Sequence, residues 1–307
     1  VDKSVRVFAP ATVSNVGSGF DIMGFAIRGA GDIITMELAE PGIVEIINLT
    51  SSVLPENPEN NIVTPSLRAM QTATGTRHGF TITFHKKINP GSGIGSSAAS
   101  AVAALVAYNH LTGSPCSPEE MIPFAMEGER FVSGSAHADN AAPCMLGGFT
   151  LIRSYHPPDI ISIPYPADLW CTVIHPALVI KTSESRSLVP HLIPLENTIA
   201  QTGNAAALVT GLITGNKELI GRSMADAIAE PHRKQLIPGY DNAREAAMAA
   251  GALGFNISGS GPSLFAMSAG RGIAEKIGKE VKKVFNDHGT QCDIYISEIS
   301  AEGARVI

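Results

Sequence analysis

Residues 90–100 read Pro-Gly-Ser-Gly-Ile-Gly-Ser-Ser-Ala-Ala-Ser, and no other stretch limits the fold as strongly. Just before it, Phe80, Ile82 and Phe84 alternate with Thr81, Thr83 and His85, the period of a half-buried strand. After it, the alanine-rich run 96–111 is long enough for about four helical turns. A strand, a glycine loop and a helix therefore follow one another directly. Gly91, Gly93 and Gly95 permit positive φ and let a ligand come close to bare backbone. A helix starting at Ser96 turns free N–H groups and a partial positive charge toward that loop. The combination suits a polyphosphate, with the Ser96 and Ser97 hydroxyls available for hydrogen bonds or for Mg²⁺. A Walker A loop is excluded, because Ser rather than Lys follows the last glycine. A dinucleotide fingerprint is a poor match: the spacing is Gly-x-Gly-x-Gly, and no acid ends a following strand. A tight turn into a buried helix remains the alternative use of the same residues.

The rest of the chain agrees with a folded, small-molecule protein. Of 307 residues, 44% are apolar and 16% charged, which excludes disorder as the main state and leaves room for two domains. A net charge of −6 argues against non-specific nucleic-acid binding, though not against an anion in a local pocket. Cys116, Cys144, Cys171 and Cys292 form no Cys-x-x-Cys pair, so neither a zinc ribbon nor a disulfide scaffold is expected. Reduced thiols in the cytoplasm are the plain expectation. Residues 1–19 have no continuous apolar core, and no stretch approaches 18 apolar residues, so neither a signal peptide nor a membrane span is expected.

Periodicity and turn residues predict strands at 4–8, 33–38 and 43–47, a loop at 54–61 and a helix at 62–74. Ser117-Pro118-Glu119-Glu120 is a helix start, and that helix should reach about residue 131. Prolines crowd residues 155–166, predicting a boundary between a domain at 1–160 and a second at 161–307. The second half reads as a strand at 170–174, helices at 195–214, 217–229 and 241–250, and a strand pair at 255–258 and 263–268. A helix at 273–285 and a strand at 292–298 complete it. Alternating strands and helices in both halves predict an α/β or α+β chain.

The loop at 90–100 resembles the central motif of the GHMP kinases. Two further segments agree: residues 9–21, Ala-Pro-Ala-Thr-Val-Ser-Asn-Val-Gly-Ser-Gly-Phe-Asp, and residues 256–263, Asn-Ile-Ser-Gly-Ser-Gly-Pro-Ser. The blocks at 133–143, 181–186 and 230–240 are similar to those of the homoserine kinase branch, and the resemblance runs in order from about residue 5 to 300. It implies an α+β, two-domain GHMP kinase fold, with an N-terminal domain like the second domain of ribosomal protein S5 and a ferredoxin-like C-terminal domain. It implies transfer of the γ-phosphoryl group of ATP to the side-chain hydroxyl of L-homoserine, with Mg²⁺, and it allows a homodimer. Another GHMP kinase with a different small alcohol, such as mevalonate, and a ligand binder without turnover are the alternatives.

By the same resemblance, Pro90, Gly91, Ser92, Gly93, Ile94, Gly95, Ser96 and Ser97 wrap the phosphates, and Asn61 and Val63 hold the adenine. Ser97 and Glu129 are the metal ligands, with Glu127 as the rival carboxylate. Asp21 pairs with the substrate ammonium, and Arg186 and Arg233 take its carboxylate, which suits their planar donor forks. Asp139, Asn15 and Asn140 hold the hydroxyl, with His137, Thr182 and Gly259 beside them. Asp139 is the candidate for orienting the hydroxyl or accepting its proton. No lysine stands in the blocks at 9–21 and 133–143 to partner it.

Overall fold

Strand β1 (Ser4–Ser14) and strand β2 (Met23–Ala39) run antiparallel over nearly their whole length, from Ser4 opposite Glu37 to Ser14 opposite Gly24. The computed structural model describes residues 3–55 and 57–307, and all their side chains except those of 132 and 133. Ser133, which opens one of the motif blocks, thus has its side chain outside the described set.

Both strands outrun the expected spans 4–8 and 33–38. Pairing passes from Pro10 opposite Gly31 to Thr12 opposite Ala26, so residues 27–30 of β2 bulge out, with Gly29 at φ 84°. Beyond the bulge both faces are covered: the opposed pair Val13 and Phe25 is buried on one face, and the opposed pair Thr12 and Ala26 on the other. Burial on two faces removes the polar alternation that reveals a strand in sequence. Strand β3 (Val44–Asn48) lies parallel to β4 (Gly79–Lys86), and β4 pairs with the second half of β2.

Helices α1 (Val63–Thr74), α2 (Ser96–Leu111) and α3 (Pro118–Ser133) pack on one another, and α2 rests on β1 and β2. Nearly every residue of α2 is buried, and its alanines let the backbone approach the sheet closely. The expected start of α3 is present as a capping box: Glu120 N donates to Ser117 Oγ at 3.3 Å, and Ser117 N donates to Glu120 Oε2 at 2.8 Å. A short helix α4 (Ala141–Leu146) leads into β5 (Phe149–Tyr155), which pairs with the start of β2. Strand β6 (Pro158–Ile163) folds back on β5, so the proline-rich stretch read as a domain boundary holds an edge hairpin, where proline is tolerated.

The second sheet begins with β7 (Leu169–Pro176). Helices α5 (Thr182–Ser187), α6 (Leu195–Thr214), α7 (Lys217–Ser223), α8 (Glu230–Arg233) and α9 (Tyr240–Ala249) follow. Strands β8 (Gly254–Ile257) and β9 (Leu264–Ala269), helix α10 (Arg271–Asp287) and strand β10 (Cys292–Glu298) complete it. The order β10-β7-β9-β8, all antiparallel, is that of a ferredoxin-like β-α-β-β-α-β sandwich. The helix expected at 217–229 stops at Ser223. The Asp226 carboxylate accepts from the N–H groups of Ile228, Ala229 and Glu230, which shapes the turn into the next helix.

Strand β11 (Arg305–Val306) returns to pair with β1, and Ile27 bridges Ile299. Phe25 of β2 packs at a tilt against Phe149 of β5, ring centres 4.7 Å apart, and meets Phe265 of β9 edge-on at 6.0 Å. One apolar cluster therefore draws residues from both sheets, while a second lies under α9 and α10. Among the described residues no helix is long and apolar enough to cross a membrane.

Candidate active site

Between the two sheets a cleft of about 360 Å³ opens, walled by the glycine loop, the 14–21 turn, the ends of α3 and α5, and the 258–261 turn. Gly91, Gly93 and Gly95 all have positive φ (74°, 79° and 70°), as the spacing predicts. At two of them the space is already taken. A Cβ at Gly93 would lie 2.8 Å from Gly261 O, and one at Gly95 would collide with Thr12 Oγ1. Ser258 Oγ donates to Gly93 O at 2.7 Å, so the third motif supports the second. Gly95 is the N-cap of α2 and has no side chain to cap it, which leaves the first-turn N–H groups facing the loop.

At the other side of α2, Ser97 Oγ donates to Glu129 Oε1 at 2.5 Å. Burial raises the Glu129 carboxyl to about 7, and the Asp139 charge adds to the rise, against the Ser97 hydrogen bond and the Lys87 charge. Asp139 is buried and raised to about 6, first by desolvation and then by the charge of Asp21, with His137 and a Ser14 hydrogen bond opposing. Two desolvated acids thus stand near each other in one cleft, and both titrate within reach of neutral pH.

A cationic cluster faces them. Arg186 Nη1 donates to Asp21 Oδ2 at 2.7 Å and to Oδ1 at 3.0 Å, and Arg186 Nη2 lies 3.3 Å from His137 Nε2. If that nitrogen accepts from the guanidinium, the imidazole proton sits on Nδ1, which is 3.4 Å from Asp21 Oδ1. Arg233 is buried, which lowers its pKa, and it donates to Ser185 O and Gly259 O at 3.3 and 3.0 Å. Both arginines sit over the Phe20 ring, with their guanidinium carbons 5.3 and 5.0 Å from its centre.

Most of the expected site residues line this one cleft, but they differ in what their polar atoms do. Asn140 is taken up with structure: its Oδ1 accepts from Thr12 Oγ1 at 2.7 Å and its Nδ2 donates to Ser14 Oγ at 2.9 Å. Asn15, at φ 72°, donates to Gly259 O at 2.8 Å and accepts from Asp21 N at 3.1 Å, so it shapes the turn that carries Asp21. Thr182 Oγ1 is 3.3 Å from Ser260 Oγ. Asn61 ties Pro55 O to Val63 N through its amide, at 2.8 and 3.2 Å.

Val63, Ser92 and Ile94 are buried and do not line the cleft. Ser92 and Ile94 alternate inward with the glycines outward, and Val63 points into the core from the first turn of α1. The rival carboxylate Glu127 pairs with Arg130 at 3.5 Å and is absent from the cleft wall. Sequence reasoning misses Lys87, Ser14 and Ser100 in the wall. Ser14 and Ser100 fall inside the motif blocks, whereas Lys87 carries no signal beyond its place just before the loop. Among the described residues no cluster of three or more His, Cys, Asp or Glu can hold a metal alone.

The family described as GHMP kinases N terminal domain matches residues 61–148, and GHMP kinases C terminal matches residues 188–287. Homoserine kinase from Chlorobium phaeobacteroides (strain BS1) is 46% identical over 99% of this chain and 100% of its own length. Homoserine kinase from Natronomonas pharaonis is 40% identical over 96% and 97%. The crystal structure of homoserine kinase from Cytophaga hutchinsonii superposes with a TM-score of 0.95 at 46% identity, covering 100% of this chain and 98% of that one. Lactococcus lactis galactokinase, solved with galactose, shares the fold alone, with a TM-score of 0.73 at 15% identity over 100% and 96%.

Proposed function

The chain belongs to the homoserine kinases of the GHMP kinase family, and from that premise we propose how its cleft moves the γ-phosphoryl group of ATP to L-homoserine. The enzyme is an ATP-dependent small-molecule kinase with an alcohol group as acceptor, and its product, O-phospho-L-homoserine, serves threonine biosynthesis. The mechanistic reading rests on one observation: the glycine loop, the Ser97–Glu129 pair and the Asp21–Arg186–Arg233 cluster open into the same cleft.

Phosphoryl transfer demands alignment and charge neutralisation more than covalent help. The backbone of residues 90–97 wraps the phosphates, and Leu54, Pro55 and Asn61 border the adenine side. Mg²⁺ fits the donors present, a serine hydroxyl beside a desolvated carboxylate, since this hard ion needs only one or two protein oxygens besides phosphate and water. Bound there, it would neutralise charge on the β- and γ-phosphates. Glu129 and Ser97 are already in contact, so the protein has little to rearrange.

L-Homoserine carries an ammonium and a carboxylate, and the cleft holds the matching pair already joined to itself as Asp21 and Arg186. The substrate replaces that one ion pair with two: its ammonium on Asp21, and its carboxylate on Arg186 and Arg233. Its hydroxyl then points to Asp139, with Asn15 and Asn140 fixing the turns around it. Thr182, His137 and Gly259 complete the surroundings. A cytoplasmic location and a homodimer belong to the same reading, and the four cysteines are unpaired thiols, as a reducing compartment requires.

ADP release measured with homoserine, threonine, serine, mevalonate and galactose tests the acceptor. Homoserine is expected to give the highest kcat/KM, and mevalonate and galactose, which lack the ammonium, to give none above background. Turnover of another acceptor with homoserine silent would overturn the assignment. Gly95→Ala tests the phosphate loop. An alanine at φ 70° that also displaces Thr12 is expected to raise the KM for ATP at least tenfold. Far-UV circular dichroism is expected to stay unchanged, and an unaltered KM would count against the loop.

A further inference from the structure

Lys87 leaves β4 where the chain enters the glycine loop, and its side chain is only 2% exposed. Asp32, fully buried on β2, lies 3.1 Å away. Lys87 Nζ also donates to Ser96 O at 2.8 Å and reaches Ser96 Oγ at 2.5 Å, so three ammonium protons meet three acceptors. Asp32 in turn accepts from Ile88 N at 2.9 Å and from Ser100 Oγ at 2.8 Å. Lys87 and Ile88 lead into the loop, while Ser96 and Ser100 lie on the helix that leaves it. The cluster therefore ties the two ends of the loop together at its neck.

A buried ion pair of this kind contributes little stability over apolar side chains of the same shape, so stability alone does not account for it. Lys87 also lines the cleft, below a backbone loop shaped for anions. We propose that Lys87, anchored by Asp32, is a positioning residue for ATP: it fixes the neck of the phosphate loop and sets a positive charge beneath the bound phosphates. The proposal rests on the reading of residues 90–97 as the phosphate site.

Steady-state kinetics of Lys87→Met/Asp32→Asn decides between charge and scaffold, because this double variant removes both charges and strands neither. Asn keeps an acceptor for Ile88 N. A melting temperature near the wild-type value is expected, together with a KM for ATP raised about tenfold and a KM for homoserine within twofold. Lys87→Arg is expected to recover part of the ATP affinity. A double variant with wild-type KM for ATP overturns the proposal and leaves the pair a packing feature. If that variant does not fold, ¹⁵N NMR of wild-type protein is read instead. The Lys87 Nζ resonance is expected to shift on addition of a non-hydrolysable ATP analogue, and an unmoved resonance overturns the proposal. Gly95→Ala keeps the two readings apart: an unchanged KM there would refute the phosphate loop itself, whereas a raised KM beside a normal double variant refutes the role of Lys87 alone.

Discussion

Asp139→Asn is expected to lower kcat by about 10²–10³-fold while leaving the KM values for ATP and homoserine within about threefold. Asp139 is held by a chain that runs from Asn140 Nδ2 to Ser14 Oγ, 2.9 Å apart, and from the Ser14 hydroxyl to the carboxylate. Its pKa, raised to about 6 by burial and by Asp21, lies close to the working pH, where a general base is most effective. From sequence alone, Asp139 is read first as orienting the hydroxyl, with proton acceptance second and alignment supplying most of the acceleration. Burial beside the Asp21 charge raises the pKa in either role, so it is the substitution that separates them. Asparagine keeps the shape and the hydrogen-bonding oxygen but cannot take the proton. Rapid-quench measurement of the chemical step checks the expectation, and a drop of only about tenfold would assign Asp139 to orientation.

The second large effect is expected at Glu129. Glu129→Gln is expected to reduce kcat by about 10²–10³-fold and to raise the Mg²⁺ concentration needed for half-maximal rate. It should also stabilise the ligand-free protein above pH 7. The direction follows from linkage. Glu129 titrates near 4.5 when unfolded and at about 7 when folded, so between those values the folded state binds the extra proton. Stability therefore falls as pH rises from about 4.5 to 7, and above pH 7 the native protein carries a desolvated carboxylate. Removing that charge is expected to raise Tm by roughly 2–4 °C at pH 8, while the same substitution cripples turnover. Activity runs the opposite way: kcat/KM of the native enzyme is expected to fall as pH drops through about 6, as Asp139 becomes protonated, while Mg²⁺ on Glu129 would displace the proton there and keep that carboxylate ionised. A melting temperature unchanged or lowered at pH 8 would show that Glu129 is satisfied without a cation.

The parts of this architecture that carry their own period are legible in the amino-acid sequence. The alternation at 80–84, the glycines at 91, 93 and 95 and the alanine run after them define a strand, loop and helix, because each pattern has one conformational use. The hairpin at 149–163 is hidden by its prolines, which an edge strand tolerates. The inner half of β2 is hidden by burial on both faces. Among site residues, Arg186 and Arg233 stand out only through their motif blocks, since an isolated arginine says nothing about a carboxylate. Lys87 escapes notice because Lys86-Lys87 at a strand end reads as a solvated pair. What buries the second lysine is Asp32, on a bulged strand far away in sequence. Asn140 is legible as a wall residue but not as the strut between Thr12 and Ser14, which only tertiary contacts define.

A crystal structure with a non-hydrolysable ATP analogue, Mg²⁺ and L-homoserine tests the account most directly. The expected complex has the β- and γ-phosphates on the N–H groups of residues 91–97, and Mg²⁺ about 2.0–2.1 Å from Ser97 Oγ and a Glu129 oxygen. The amino-acid carboxylate rests on Arg186 and Arg233, and its hydroxyl lies between Asp139 and the terminal phosphate. Phosphates bound elsewhere with the glycine loop empty, or a metal held without Glu129, would contradict it.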